Sequence, residues 1–250
     1  MNKFTFKWGT KFLSSLLKLN PELKKAKALK SKGNWREYKA FVDSQLCGWL
    51  KPIIDMAGVS FNVFGKENIP ENEPVIYTPN HAGMFDIPAV ILNTPEPPIF
   101  IAKKELKSIP ILSDWMDVMD CVFVDRNNKN SARSSLHDAI EMVKNGRSIV
   151  IFPEGTRSKD GTLGAFKGGA MKIAMETGAK VVPVLLRGTR ARLEEKGEIV
   201  PGEIDVVFMK SIKTKGLTKE EFFEMPEQLR KLIQKENEKF AENKAADFSL

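Results

Sequence analysis

The sequence predicts an α/β fold: a mostly parallel or mixed sheet covered by helices on both faces, preceded by an N-terminal amphipathic two-helix segment that associates with a membrane. Three observations carry this expectation. Beyond residue 58, short apolar runs alternate with helical patterns, as in a sheet covered on both faces. Ahead of them, apolar residues recur at helical spacing opposite a stripe of lysines. The chain has 250 residues, 42% of them hydrophobic, enough for a packed core in one large domain with a smaller appendage. The expected division is 1–58 for the N-terminal segment and 59–250 for the α/β domain.

The net charge of +7 is uneven: residues 1–58 hold 12 Lys and Arg against 4 Asp and Glu, the remainder 27 against 28. Whatever the basic charge attracts is met at one end. At about 100° per residue along residues 3–19, Phe4, Trp8, Phe12, Leu16 and Leu19 share one arc. Phe6, Leu13 and Leu17 widen it, and Lys3, Lys7, Lys11 and Lys18 fall on a separate arc. This suits a helix lying in a membrane surface. It is also compatible with a helix docked on the domain with its lysines in water, because amphipathicity alone does not separate core from lipid. Nucleic acid is not expected as a partner, because the lysine stripe backs onto large apolar side chains that a phosphate-tracking surface does not require.

Asn20-Pro21 is expected to end this helix. A second helical pattern covers about Asn34–Met56, with Trp35, Val42, Leu46, Trp49, Leu50, Ile53 and Met56 on one side; Pro52 should kink or shorten it. No apolar stretch approaches the roughly 18–20 residues that span a bilayer, and no secretory signal is read at the N-terminus.

In the larger part, strands are expected at Ser60–Phe64, Val75–Thr78, Ile99–Ala102, Cys121–Val124, Ser148–Phe152, Val181–Leu186 and Ile204–Phe208. Helices are expected at Ile87–Asn93, Lys104–Ile109, Ser113–Met119, Ser131–Asn145, Gly168–Thr177 and Thr218–Lys244. In such a sheet, ligands gather beyond the carboxyl ends of the strands. Four strand ends deliver polar groups there: Pro79-Asn80-His81, Lys103-Lys104, Asp125-Arg126 and Pro153-Glu154-Gly155-Thr156-Arg157.

Only two histidines occur. An imidazole is well matched to taking a proton near neutral pH, and a carboxylate can hold its second nitrogen in one tautomer. His81 and Asp86 can form that couple only if His81 lies in a loop and Asp86 begins the next helix, since five residues stand about 140° apart on a continuous helix. On these residues alone, Asp86 reads as well as a helix cap and His81 as a loop residue. His137 is read as structural or exposed. There is no GxSxG elbow, so a base at His81 activates a hydroxyl of the substrate. Cys47 and Cys121 lack CxxC spacing and read as buried thiols; no metal site is expected. Lys103, Arg126 and Arg157, with backbone N–H groups around Gly155-Thr156, are suited to clamp a phosphate. The alternative is ordinary ion pairing, Arg126 with Asp125 and Arg157 with Glu154 or Asp160.

The blocks NHAGMFD (80–86), AKKEL (102–106) with VFVDRNN (122–128), FPEGTRS (152–158) continuing to LGAFKGG, and VVPV (181–184) resemble, in order and spacing, the four blocks of the glycerolipid acyltransferases, specifically the 1-acyl-sn-glycerol-3-phosphate (lysophosphatidic acid) acyltransferase family. The resemblance covers about residues 75–185. It implies transfer of an acyl group from acyl-coenzyme A or acyl-acyl carrier protein to the sn-2 hydroxyl of lysophosphatidic acid, with no bound cofactor and no metal. It implies His81 as general base, Asp86 as its orienting partner, and Arg126, Gly155 and Arg157 at the glycerol phosphate. Lys103, Glu154 and Thr156 are added as substrate-binding candidates, Glu154 being suited to shape its loop by hydrogen bonds. Through the amphipathic N-terminal helices, which lie outside the four blocks, the expected location is the cell membrane, peripheral or monotopic on the cytoplasmic face. A related acyltransferase acting on glycerol 3-phosphate or another lysophospholipid, or a non-catalytic membrane-binding protein of the same fold, stays open as an alternative. Asp114 and Asp120 depart from the family pattern, which has glycine near the first position and at the second; a carboxylate at 120 is expected to bear on the acceptor or acyl pocket.

Overall fold

A computed structural model describes residues 2–125 and 127–247 of the chain. Seven strands form one sheet: β1 (Val59–Phe64), β2 (Val75–Pro79), β3 (Ile99–Lys103), β4 (Val122–Val124), β5 (Ile149–Val150), β6 (Lys180–Arg187) and β7 (Gly202–Phe208), in the order β1-β7-β6-β2-β5-β3-β4. The expected strands all form, so the sheet is mixed: every neighbouring pair is parallel except β6 with β7, which runs antiparallel. The central β2 is buried at every residue, as a strand covered on both faces must be.

Helices cover both faces. Three of them, α1 (Lys3–Lys18), α2 (Asn20–Ser31) and α3 (Trp35–Met56), pack with α4 (Asp86–Ile91) and α5 (Leu112–Val118) in a core that includes Trp8, Leu23, Tyr38, Val42, Phe85 and Trp115. On the other face α6 (Lys129–Lys144), α7 (Gly169–Thr177) and α8 (Lys219–Asp247) enclose Ile76, Ile140, Ile173 and Leu229. The helix expected at Lys104–Ile109 is a short 3-10 turn, Lys104–Ser108, because Ile109 precedes Pro110 and is pushed to extended backbone.

Among the described residues the N-terminal segment has three helices, not two. The first helix ends at Lys18, ahead of Asn20-Pro21 as expected, but another starts at once: Pro21 sits in the first turn of α2, where its missing N–H is needed by no partner. Lysines hide the pattern of α2, which buries only Leu23, Ala26 and Leu29 at a spacing of three. Pro52 also lies within α3, which continues to Met56.

The apolar arc expected to face lipid is mainly a docking face. Trp8 and Leu16 are buried, and Phe12 and Leu19 pack against the core. The Trp8 indole N–H donates to the Ile53 carbonyl at 3.0 Å, its ring stacks on Phe12, and it meets Phe85, the residue before Asp86. The widening row, Phe6, Leu13 and Leu17, stays exposed, at 60%, 62% and 66% of full accessibility. Among the described residues no helix is long and apolar enough to cross a membrane.

The two departures from the family pattern meet α2. Asp114 takes Lys27 at 2.6 Å; Asp120 takes Lys30 at 2.8 Å and Arg147 at 2.6 Å. Asp120 holds φ at +59°, a left-handed backbone that glycine adopts most readily and that Asp tolerates better than most residues. Its carboxylate ties the N-terminal helices to the sheet layer.

Candidate active site

The site forms where β6, β2 and β5 end side by side. Pro79 closes β2 and has no N–H to offer. Asn80 extends the pairing with its side chain instead: its amide donates to the Leu186 carbonyl at 3.0 Å, and its oxygen accepts the Leu186 N–H at 2.8 Å. The chain then turns through 81–85 into α4, which starts at Asp86.

That turn joins the expected couple. Asp86 is fully buried; its Oδ2 lies 2.7 Å from His81 Nδ1 and accepts the N–H groups of Ala82 and Gly83, each at 2.8 Å. With two backbone N–H groups already donating to it, Oδ2 favours the tautomer in which Nδ1 carries the proton. Nε2 then keeps its lone pair. The His81 ring is half-buried and stacks on Phe152, with centroids 3.9 Å apart at 23°. Both backbone groups of His81 are also held: its N–H donates to Glu154 Oε1 at 2.7 Å, and its carbonyl accepts the Ser158 N–H at 2.8 Å.

Glu154 is therefore a bridge between loops. It is 6% exposed, and its second oxygen accepts the Gly164 N–H at 3.0 Å. Its hydrogen bonds join the His81 loop to the segment at Gly164. Gly155 follows at φ +72°, a left-handed backbone that calls for glycine; Lys167, whose flexible side chain lies alongside, could move aside for a Cβ.

Of the expected residues, His81, Asp86, Glu154 and Gly155 come together in one cluster. Arg157 is exposed on the same loop and pairs with neither Glu154 nor Asp160 but with Glu194, at 3.4 Å. Thr156 is exposed beside it. Lys103 ends β3 on the same rim, with β5 between it and β2. Arg126 lies outside the described residues. Asp125 pairs with Lys104, whose ammonium, with the Asn127 N–H, holds its carboxyl below the usual range. His137 is exposed on α6. Burial pushes the Cys121 thiol up to about 12 and raises Cys47 as well, so neither offers a thiolate near neutral pH.

Glu194 went unread in the sequence. Ligands gather beyond strand ends, and the end of β6 leads into residues 190–195, which hold it. That rule, taken one strand further, points to this segment.

An acyltransferase family model matches residues 60–187. A 1-acyl-sn-glycerol-3-phosphate acyltransferase of Borreliella burgdorferi is 37% identical over 150 residues, 60% of this chain and 59% of the relative. A chloroplastic 1-acyl-sn-glycerol-3-phosphate acyltransferase of Arabidopsis thaliana is 38% identical over 154 residues, 60% of this chain and 43% of the relative. The alignments thus span about half the length of these relatives. The crystal structure of the 1-acyl-sn-glycerophosphate (LPA) acyltransferase PlsC from Thermotoga maritima superposes with a TM-score of 0.82 at 26% identity, covering 95% of both chains. The matched region holds the His81–Asp86 couple and the Glu154 loop and amounts to half of the sequence: the chain belongs to the acyltransferase family.

Proposed function

We propose that this protein transfers an acyl group from a thioester, acyl-coenzyme A or acyl-acyl carrier protein, to the sn-2 hydroxyl of lysophosphatidic acid, giving phosphatidic acid. The observation that carries the reading is His81, its Nδ1 held at 2.7 Å by a buried Asp86 and its Nε2 left to accept a proton. His81 Nε2 takes the hydroxyl proton as the oxygen attacks the thioester carbonyl. The tetrahedral intermediate expels the thiolate, and the imidazolium returns the proton to it. A thioester is already activated, so the step calls for no metal or nucleotide. Alignment of hydroxyl, base and carbonyl is the protein's main contribution. Lys103, Arg126 and Arg157 are suited to the acceptor phosphate.

The substrate class rests on the names of the two relatives and of the superposed structure. The acceptor's alkyl chain rests in a bilayer, so the rim has to meet headgroups. The exposed row Phe6, Leu13 and Leu17, beside Lys3 and Lys7, supplies apolar and cationic contacts to an anionic surface, peripherally on the cytoplasmic face.

The test is purified protein with defined vesicles, both donors, and lysophosphatidic acid, glycerol 3-phosphate and larger lysophospholipids as acceptors, with product identified by mass. Phosphatidic acid as the main product, lost in His81→Ala with the fold retained, is the expected result. Preference for another acceptor moves the assignment within the family. Vesicle binding without turnover by any acceptor removes the enzymatic reading.

A further inference from the structure

We infer that Glu194 is a positioning residue that couples phosphate recognition to the geometry of the base, an inference that rests on the proposed acceptor. Glu194 lies beyond both the matched region and the motif blocks, after β6. Its Oε1 accepts the Met84 N–H at 2.7 Å, in the turn between His81 and Asp86, and stands 3.4 Å from Arg157 Nη1. One carboxylate thus touches both the loop that carries the base and the arginine suited to the acceptor phosphate.

The surroundings are built around this carboxylate. Its side chain is only 18% exposed, and Oε2 is buried without a hydrogen-bond partner. A Cβ on Gly83 would lie 2.8 Å from Oε2 and 2.9 Å from the Thr189 carbonyl, so glycine at 83 is what admits both groups. A buried carboxylate oxygen with no donor is costly, and a nearby cation offsets that cost. Arg157 is that cation. It is half exposed on a loop, where a free arginine samples many rotamers. Glu194 confines the guanidinium beside the His81 loop. The 3.4 Å separation is long for a charged pair, so Arg157 can turn to a phosphate without breaking a strong bond.

The roles separate by substitution. Glu194→Gln keeps an oxygen for the Met84 N–H and loses the charge that holds Arg157. Expected are a KM for lysophosphatidic acid raised about threefold to tenfold, a kcat within about twofold, and an unchanged melting temperature. In an Arg157→Ala background the same substitution should leave KM unchanged, because its partner is gone. Glu194→Ala also frees the Met84 N–H and should lower kcat about tenfold or more. Equilibrium binding of lysophosphatidic acid in mixed micelles, compared for wild type, Glu194→Gln and Arg157→Ala, reads the same coupling without turnover. Wild-type binding without product would therefore fail the acyltransfer reading and leave this one measurable. An unchanged KM and affinity in Glu194→Gln, or an equal loss in the presence and absence of Arg157, would overturn it, as would wild-type affinity that ignores the phosphate.

Discussion

His81 Nδ1 and Asp86 Oδ2 stand 2.7 Å apart although four residues lie between them, because the turn that joins them is wound around the carboxylate itself. Asp86 orders its own approach by accepting Ala82 and Gly83. An asparagine at 86 can still accept those two N–H groups and the Nδ1–H with its oxygen, yet it carries no charge to stabilise the imidazolium. Asp86→Asn is expected to keep the melting temperature within a few degrees and to lower kcat about 10²–10⁴-fold. Near-wild-type kcat in a stopped-point acylation assay would refute the orienting role.

The Asp120 junction is a matter of stability. Asp120→Ala strands Lys30 and the mostly buried Arg147, and is expected to lower unfolding free energy by about 1–3 kcal/mol, read as a shift in the urea midpoint. Asp120→Gly loses the same contacts but relaxes the left-handed backbone, so it should sit about 1 kcal/mol above the alanine variant. Equal midpoints for the two would mean that the backbone at 120 stores no strain.

The two apolar rows of α1 should behave oppositely. Leu13→Asp with Leu17→Asp changes exposed positions, so melting should hardly move, whereas binding to anionic vesicles should weaken at least about tenfold. Trp8→Ala removes a buried ring and its hydrogen bond to Ile53, and should cost about 3–5 kcal/mol. Vesicle sedimentation that ignores the Leu13 and Leu17 charges would leave the docked face as the helix's main task.

Cys121 gives a pH dependence of known sign. Burial holds its thiol at about 12, above the roughly 8.5 of an unfolded thiol. The unfolded chain therefore releases this proton first, and the stability it contributes falls as pH rises above about 8.5. The urea midpoint should decline between pH 8 and pH 10, and decline less in Cys121→Ala. Iodoacetamide at pH 8 should modify the native protein far more slowly than the urea-unfolded chain; equal rates would show the thiol to be accessible.

The strands were legible because a sheet covered on both faces demands runs of apolar residues, and Val75–Pro79 and Lys180–Arg187 provide them. The His81–Asp86 couple was left open by its own residues, since a helix cap and a loop histidine look the same, and was legible through the family resemblance. α2 was not, because its lysines mask a three-residue buried stripe and Pro21 signals a start and a stop alike. Nor was the direction of α1: both of its apolar rows have the same chemistry, and only contact with Ile53 and Phe85 decides which one is core.

By itself, the sequence determined local matters: which segments bury, where strands end, which side chains can carry a proton or a charge. Tertiary structure alone decided the pairings at long range, Asp120 with Lys30 and Arg147, Glu194 with Met84 and Arg157. Such pairs join elements whose separation along the chain carries no period, and a charged side chain reads the same on paper whether water or another element faces it. Folding removes the water, and only then does the cost of an unpaired charge select its partner.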